Sequence, residues 1–192
     1  MESRARPSTA PPGPAIDDAE LVARFRAGDR AAGGALVERH QVSIRRLVLR
    51  YVKSSDDAKD VSQKTFIRAL ERLDTFRGEA SFRTWLYRIA VNLALNHVRG
   101  VGLGELVPLE DVVAFTSSLE TAKLVASELW RKVSARLDEL PPKQRLVLEL
   151  RVFHDLSFDE IAAIADSSEA AAKVNFHHAV KRLREVLPLP GT

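Results

Sequence analysis

The chain contains no cysteine. Disulfides and thiolate metal sites are therefore excluded, and a reducing cytoplasm fits. No apolar run approaches the roughly 20 residues that a membrane helix needs, and the first residues lack the apolar core of a signal peptide. No membrane insertion is expected. Strict apolar-polar alternation, the mark of a half-buried strand, is scarce. Aromatic residues make up 6% of the chain and there is one methionine. No serine or acid pair stands in a catalytic arrangement, so the chain does not read as an enzyme.

Helix formers, namely Ala, Leu, Arg and Glu, dominate instead and predict an all-α protein. The 192 residues are 45% hydrophobic, enough for one larger core or two small ones. Net charge is only +3, but it is unevenly spread. Arg45 to Arg99 holds twelve Lys/Arg against six Asp/Glu. Gly100 to Ser118 holds three acids and no base, and Lys173 to Arg184 holds four bases and no acid. Two basic blocks around an acidic connector suggest two contacts with a polyanion; ordinary solvated helix faces are the alternative.

Residues 1–16, rich in proline, read as a disordered tail. Helices are predicted from Asp17 or Asp18 to Ala27, from Arg30 to Val52 (with Gly33-Gly34 weakening its start), and from Asp56 to Leu73. A loop at 74–80 leads into a central helix, 81–99. Residues 100–119 form a linker too apolar to run free in solvent. A helix at 120–140, with Trp130 as packing residue, opens a second domain (120–187). Helices at 144–153, 157–164 and 169–187 complete it. Ser157 and Glu160 form a capping box at the start of the penultimate helix.

Two stretches carry chemistry. In the central helix Phe82, Leu86, Ile89 and Leu93 make an apolar stripe at helical spacing. Arg88, Asn92, Asn96 and Arg99 line another side with groups that bond phosphates and base edges. Trp85 and Tyr87 add aromatic surface on which an unstacked base could sit. Near the C-terminus a short helix, a three-residue turn and a longer basic helix have the spacing of a helix-turn-helix. There Ala172, Phe176, Ala179 and Leu183 should pack inward while Lys173, His177, Lys181 and Arg184 face out. None of the five histidines (His40, His97, His154, His177, His178) has metal-ligand spacing. They read as exposed or DNA-contacting, and no metal or cofactor is expected.

The stretch LPPKQRLVLELRVFHDLSFDEIAAIA (140–165), followed by AAAKVNFHHAVKRLRE (170–185), resembles the promoter-binding C-terminal domain of bacterial sigma factors. SDDAKDVSQKTFIRALERLDTFRGEASFRTWLYRIAVNLALNHVR (55–99) resembles their N-terminal domain. The small size and short connector are similar to the extracytoplasmic-function (ECF) group. The resemblance implies two helical domains, 17–99 and 120–187, that together place core RNA polymerase on promoter DNA. Asp57, Asp60, Gln63, Phe66 and Arg68, with Ala58 and Ala69, match the helix that meets the polymerase. Phe76, Arg77, Arg83, Trp85, Tyr87, Arg88, Asn92, Asn96 and Arg99 match the segment that takes the −10 element, where a base is flipped out and held. Ser168, Ala170, Ala171, Lys173, Val174, His177, Lys181 and Arg184 match the −35 helix-turn-helix. An anti-sigma factor is the further partner this resemblance implies.

The chain departs from the family pattern in places. Lys59 and Lys64 stand where acids are usual on the polymerase-binding helix. Val91 replaces a common arginine. Asn175 stands where the recognition helix usually has arginine, and Ala170-Ala171 where Gly-Thr is common. An asparagine pairs with adenine and an alanine touches a thymine methyl, so the −35 sequence read should change. The alternative is a sigma mimic, or a stand-alone helix-turn-helix regulator, that binds an anti-sigma partner or duplex DNA without initiating transcription.

Overall fold

The computed structural model describes residues 16–52, 54–100, 136, 137 and 139–186. The expected tail, most of the linker, the start of the helix at 120–140 and Trp130 lie outside the described residues. Among the described residues the regular elements are all helical: α1 (Asp18–Arg26), α2 (Arg30–Val48), α3 (Ser55–Glu71), a 3-10 turn (Leu73–Thr75), α4 (Phe82–Arg99), α5 (Pro142–Phe153), α6 (Phe158–Ala165) and α7 (Glu169–Val186). No described helix is long and apolar enough to cross a membrane.

Short polar side chains start these helices by accepting backbone N–H groups that have no partner within the helix. Asp17 accepts from Glu20 at 2.7 Å, Asp29 from Ala31 at 3.0 Å and Ser81 from Thr84 at 3.1 Å. The predicted capping box is present: Ser157 Oγ accepts from the Glu160 N–H, and Glu160 Oε2 accepts from the Ser157 N–H at 2.9 Å. α4 ends at Gly100 in the left-handed region, and α6 ends at Asp166, a non-glycine residue with φ of 51°.

α2 stops at Val48, four residues before the predicted Val52. The chain turns there because Tyr51 and Val52, each 2% exposed, are drawn inward. α5 begins at Pro142, two residues before the predicted Gln144; proline suits this first turn because it lacks only an N–H that needs no helical partner.

The two glycines at the start of α2 differ. A Cβ at Gly33 would lie 2.6 Å from the Phe25 ring, whereas one at Gly34 meets nothing within 4 Å. Gly34→Ala is expected to raise stability by about 1 kcal/mol through helix propensity. Gly33→Ala should lose that gain to overpacking, which costs about 1–3 kcal/mol. Paired thermal melts check this.

The core has an unexpected extent. Leu36, Ile44, Leu47, Val61, Leu73, Leu86 and Leu93 from α1–α4 lie in one continuous apolar cluster with Leu146, Leu150, Ile161, Ile164 and Ala172 from α5–α7. The two helical groups are closed on each other, with α4 against α6.

Candidate nucleic-acid interface

The loop between the 3-10 turn and α4 is held from α1. Arg26 donates to the Leu73 carbonyl at 2.6 Å and to the Phe76 carbonyl. Sequence reasoning missed this arginine, since nothing in its spacing marks a residue that reaches 47 to 50 positions ahead. Phe76 then packs on Trp85 (ring centroids 5.3 Å apart) and Phe82 (6.0 Å). Trp85 is half-buried, with its ring seated on its own domain. Phe76, Arg77, Gly78, Trp85 and Arg88 line one side of a cleft of about 610 Å³; Ala162, Ala163, Asp166 and Ser167 of the helix-turn-helix line the other. A second cleft, about 240 Å³, lies between α3 and α4 and is lined by Arg68, Arg72, Trp85, Arg88, Asn92 and Asn96.

Several expected contact residues of α4 are covered by the other domain. Arg83 donates to the His154 carbonyl. Thr84 Oγ1 donates to Glu160 Oε1 at 3.1 Å. The Tyr87 hydroxyl bonds His154 Nδ1 at 3.1 Å, with the two rings edge to face. Arg88 reaches Asp166 at 3.4 Å. Tyr87 is 0% exposed and Asn96 3% exposed. The expectation of an open Tyr87 platform and a fully open polar face is therefore corrected. Here Tyr87 is sealed against His154, Asn96 is buried, Asn92 and Arg99 are half-buried, and Arg77 and Arg88 are exposed.

The histidine reading needs the same correction. His40 and His154 are buried at 7% and 8% exposure. His40 Nε2 bonds Asp18 at 2.8 Å and ties α2 to α1. Burial pushes the His154 imidazole down to about 4, and the positive charges of Arg50, Arg83 and Arg46 push the same way. His97 is exposed and lies 3.6 Å from Asp57.

On α3, Asp60 and Gln63 are exposed, as are Lys59 and Lys64, while Asp57 and Arg68 are half-buried. Phe66 sits in the core, so it anchors α3 and cannot face a partner. The exposed apolar residue on that helix is Ile67, at 57%.

In the helix-turn-helix, Ala172 and Ala179 are fully buried and Phe176 packs edge to face on Phe158. Ser168 Oγ accepts from the Ala171 N–H at 3.1 Å and caps α7. Ala170, Lys173, Val174, His177, Lys181 and Arg184 are exposed, and Ala171 is half-buried. The Asn175 amide donates to the Ala171 carbonyl at 2.9 Å. That bond ties one of its two N–H groups to its own helix, and the side chain is half-buried.

A second polar cluster joins the domains beneath these contacts. Arg145 and Glu149, 1% and 0% exposed, pair at 3.0 Å on α5. Arg145 also donates to the Arg50 carbonyl at 2.9 Å, and the Arg50 guanidinium stacks 3.9 Å over the Phe153 ring. Burial pushes the Glu149 carboxyl up, against the pull of Arg145, Arg50 and the neighbouring Tyr51 hydroxyl.

Comparison with known proteins matches residues 36–102 to Sigma-70 region 2 and residues 130–183 to Sigma-70 region 4. The ECF RNA polymerase sigma-E factor of Escherichia coli K12 is 40% identical over 163 residues, covering 79% of this chain and 84% of that one. The RNA polymerase sigma-H factor of Pseudomonas aeruginosa is 36% identical over 159 residues, 77% and 81% of the respective chains. Among solved structures, CnrH in complex with the cytosolic domain of CnrY superposes with a TM-score of 0.69 at 26% identity, over 91% of this chain and 99% of that one. The sigma factor RpoE in complex with the anti-sigma factor NepR, from Bartonella quintana, shares the fold with a TM-score of 0.64 at 21% identity, over 82% and 98%. With both sigma regions matched in order, and relatives of this identity spanning most of its length, the chain belongs to the ECF group of RNA polymerase sigma factors.

Proposed function

We propose that the chain binds bacterial core RNA polymerase in the cytoplasm, seats α7 on the −35 element, and uses the 76–88 loop and helix to capture and open the −10 element. The observation that carries this reading is the pairing of two DNA-facing surfaces. One is a helix-turn-helix with an exposed cationic face. The other is a cleft in which an aromatic pair, Phe76 and Trp85, stands beside Arg77 and Arg88. An aromatic ring takes an unstacked base at about 1–3 kcal/mol, and arginines at the rim hold its phosphates. Residues 17–99 form the −10 and core-binding domain, 100–119 the linker and 120–187 the −35 domain. The outward face of α3, with Asp60, Gln63 and Ile67, meets the polymerase. The polymerase itself does the chemistry.

The closed arrangement bears on this role. Arg83, Thr84 and Tyr87 are engaged by α6 and the turn before it, so the −10 strand gains them only when the domains part. CnrH was solved in complex with the cytosolic domain of CnrY, and the Bartonella RpoE with the anti-sigma factor NepR. An anti-sigma factor that holds the domains off promoter DNA is the corresponding partner here.

In-vitro transcription with bacterial core polymerase on fragments from the source genome tests the reading. Discrete transcripts that require the chain are expected. Arg88→Ala, at an exposed position, should lower promoter-dependent transcript yield about tenfold, the loss of one charge-assisted contact, with core binding unchanged. Core binding with no transcripts on any fragment, or no core binding, would overturn it.

A further inference from the structure

The recognition helix has an apolar centre inside a cationic rim. Ala170, Val174, His177 and Lys181 lie within about 60° of one another around α7, opposite the buried Ala172 and Ala179. Val174 is 56% exposed. A β-branched residue gains nothing from an exposed helical position, because the helix restricts its side chain.

The donors near it already have partners within α7. The Asn175 amide bonds the Ala171 carbonyl, and the Lys173 ammonium lies 2.7 Å from the Glu169 carboxylate one turn back. The first two turns, which meet base edges in a helix-turn-helix, offer methyl groups at their centre and no guanidinium fork. In the major groove only thymine answers with an apolar group, its C5-methyl. His177, Lys181 and Arg184 follow in the later turns, where phosphates lie.

We propose that Val174, with Ala170 beside it, reads a thymine C5-methyl in the −35 element. This rests on the DNA-binding reading of α7 and names the base chemistry it recognises. The cationic rim favours DNA over an apolar protein partner for the same spot.

Deoxyuridine differs from thymidine by that methyl alone. A promoter found by in-vitro transcription is rebuilt as synthetic duplexes in which each −35 thymine, on either strand, is replaced singly by deoxyuridine. Binding of the holoenzyme to each duplex is measured by competition, together with a control duplex whose −35 element is scrambled. One thymine, or two adjacent ones, should weaken wild-type binding about fourfold when the methyl is lost, the factor that burying one methyl supplies. Val174→Ser holoenzyme should bind the thymine duplex about fourfold more weakly and be indifferent to the same replacement. Because Val174 is exposed, the variant keeps its fold, and a thermal melt checks that. The proposal is overturned if no replacement matters, or if the effect persists in Val174→Ser. Indifference to the scrambled −35 element would overturn the DNA-binding reading of α7, and this proposal with it.

Discussion

Replacing Glu149 with alanine should cost the closed form about 3–5 kcal/mol, the range for removing one partner of a buried ion pair. Glu149 is fully buried and its partner Arg145 is 1% exposed. Without the carboxylate, the Arg145 guanidinium keeps its bond to the Arg50 carbonyl but loses the opposite charge 3.0 Å away, while a second guanidinium, Arg50, is nearby. The strain has a way out. Arg50 and Tyr51 belong to one helical group and Arg145 and Glu149 to the other, so parting the groups rehydrates Arg145. Glu149→Ala is therefore expected to open the chain before unfolding it. The lack of native cysteine makes this easy to measure. Glu38→Cys and Arg182→Cys, both at exposed positions, carry a dye pair whose transfer efficiency should fall in the Glu149→Ala background, with a lower urea midpoint. Arg145→Met combined with Glu149→Leu should regain much of the loss, because an apolar pair of similar volume takes the buried charge away with its partner. Unchanged transfer and a stability loss under about 1 kcal/mol would refute this account of the network.

A chain that opens this way also changes what it offers to DNA. The exposed face of α7 is free in the closed form, but Arg83, Thr84 and Tyr87 are not. With the roles proposed above, closure leaves the −35 surface available while withholding part of the −10 surface. Glu160 links the two: the carboxylate that caps α6 also accepts from Thr84 across the interface.

The local features of the fold were legible because each is set by residues a few positions apart. The Ser157–Glu160 capping box, the helix-turn-helix and the outward cations of α7 follow from short-range bonding and from the helical period. Closure was not legible. It depends on pairs 67 to 95 residues apart, Tyr87 with His154 and Arg145 with Arg50. Periodicity cannot tell a buried i,i+4 ion pair such as Arg145–Glu149 from the solvated pairs common on helix surfaces. The same blindness explains Tyr87 and Phe66: an aromatic beside a polar face reads as a platform until its neighbours in space are known. Asn175 shows a different limit. Its amide had a partner one turn back on its own helix, an alternative open to any mid-helix asparagine.

Acid should loosen the closed form through His154. The imidazole accepts no proton easily there, because it is buried and faces Arg46, Arg50 and Arg83, and it titrates at about 4 in place of 6.5. A histidine with a lowered folded pKa contributes stability that is full above 6.5 and lost as pH falls through the window from 6.5 to about 4. Between pH 7 and pH 5 the loss is about 2 kcal/mol. Glu149 acts in the opposite sense, since burial raises its carboxyl above the usual value and protonation then favours the closed form. Tyr51, raised by burial, stays neutral throughout this range. A comparison with His154→Gln separates the contributions, because the glutamine keeps a polar group near the Tyr87 hydroxyl without a proton to gain, and Glu149 is present in both proteins. Urea denaturation at fixed ionic strength, at pH 7 and pH 5, should show wild type losing about 2 kcal/mol more than His154→Gln over that interval. Equal losses in the two proteins would mean that His154 is protonated as readily in the closed form as in the open one, and that the domains hold together without regard to it.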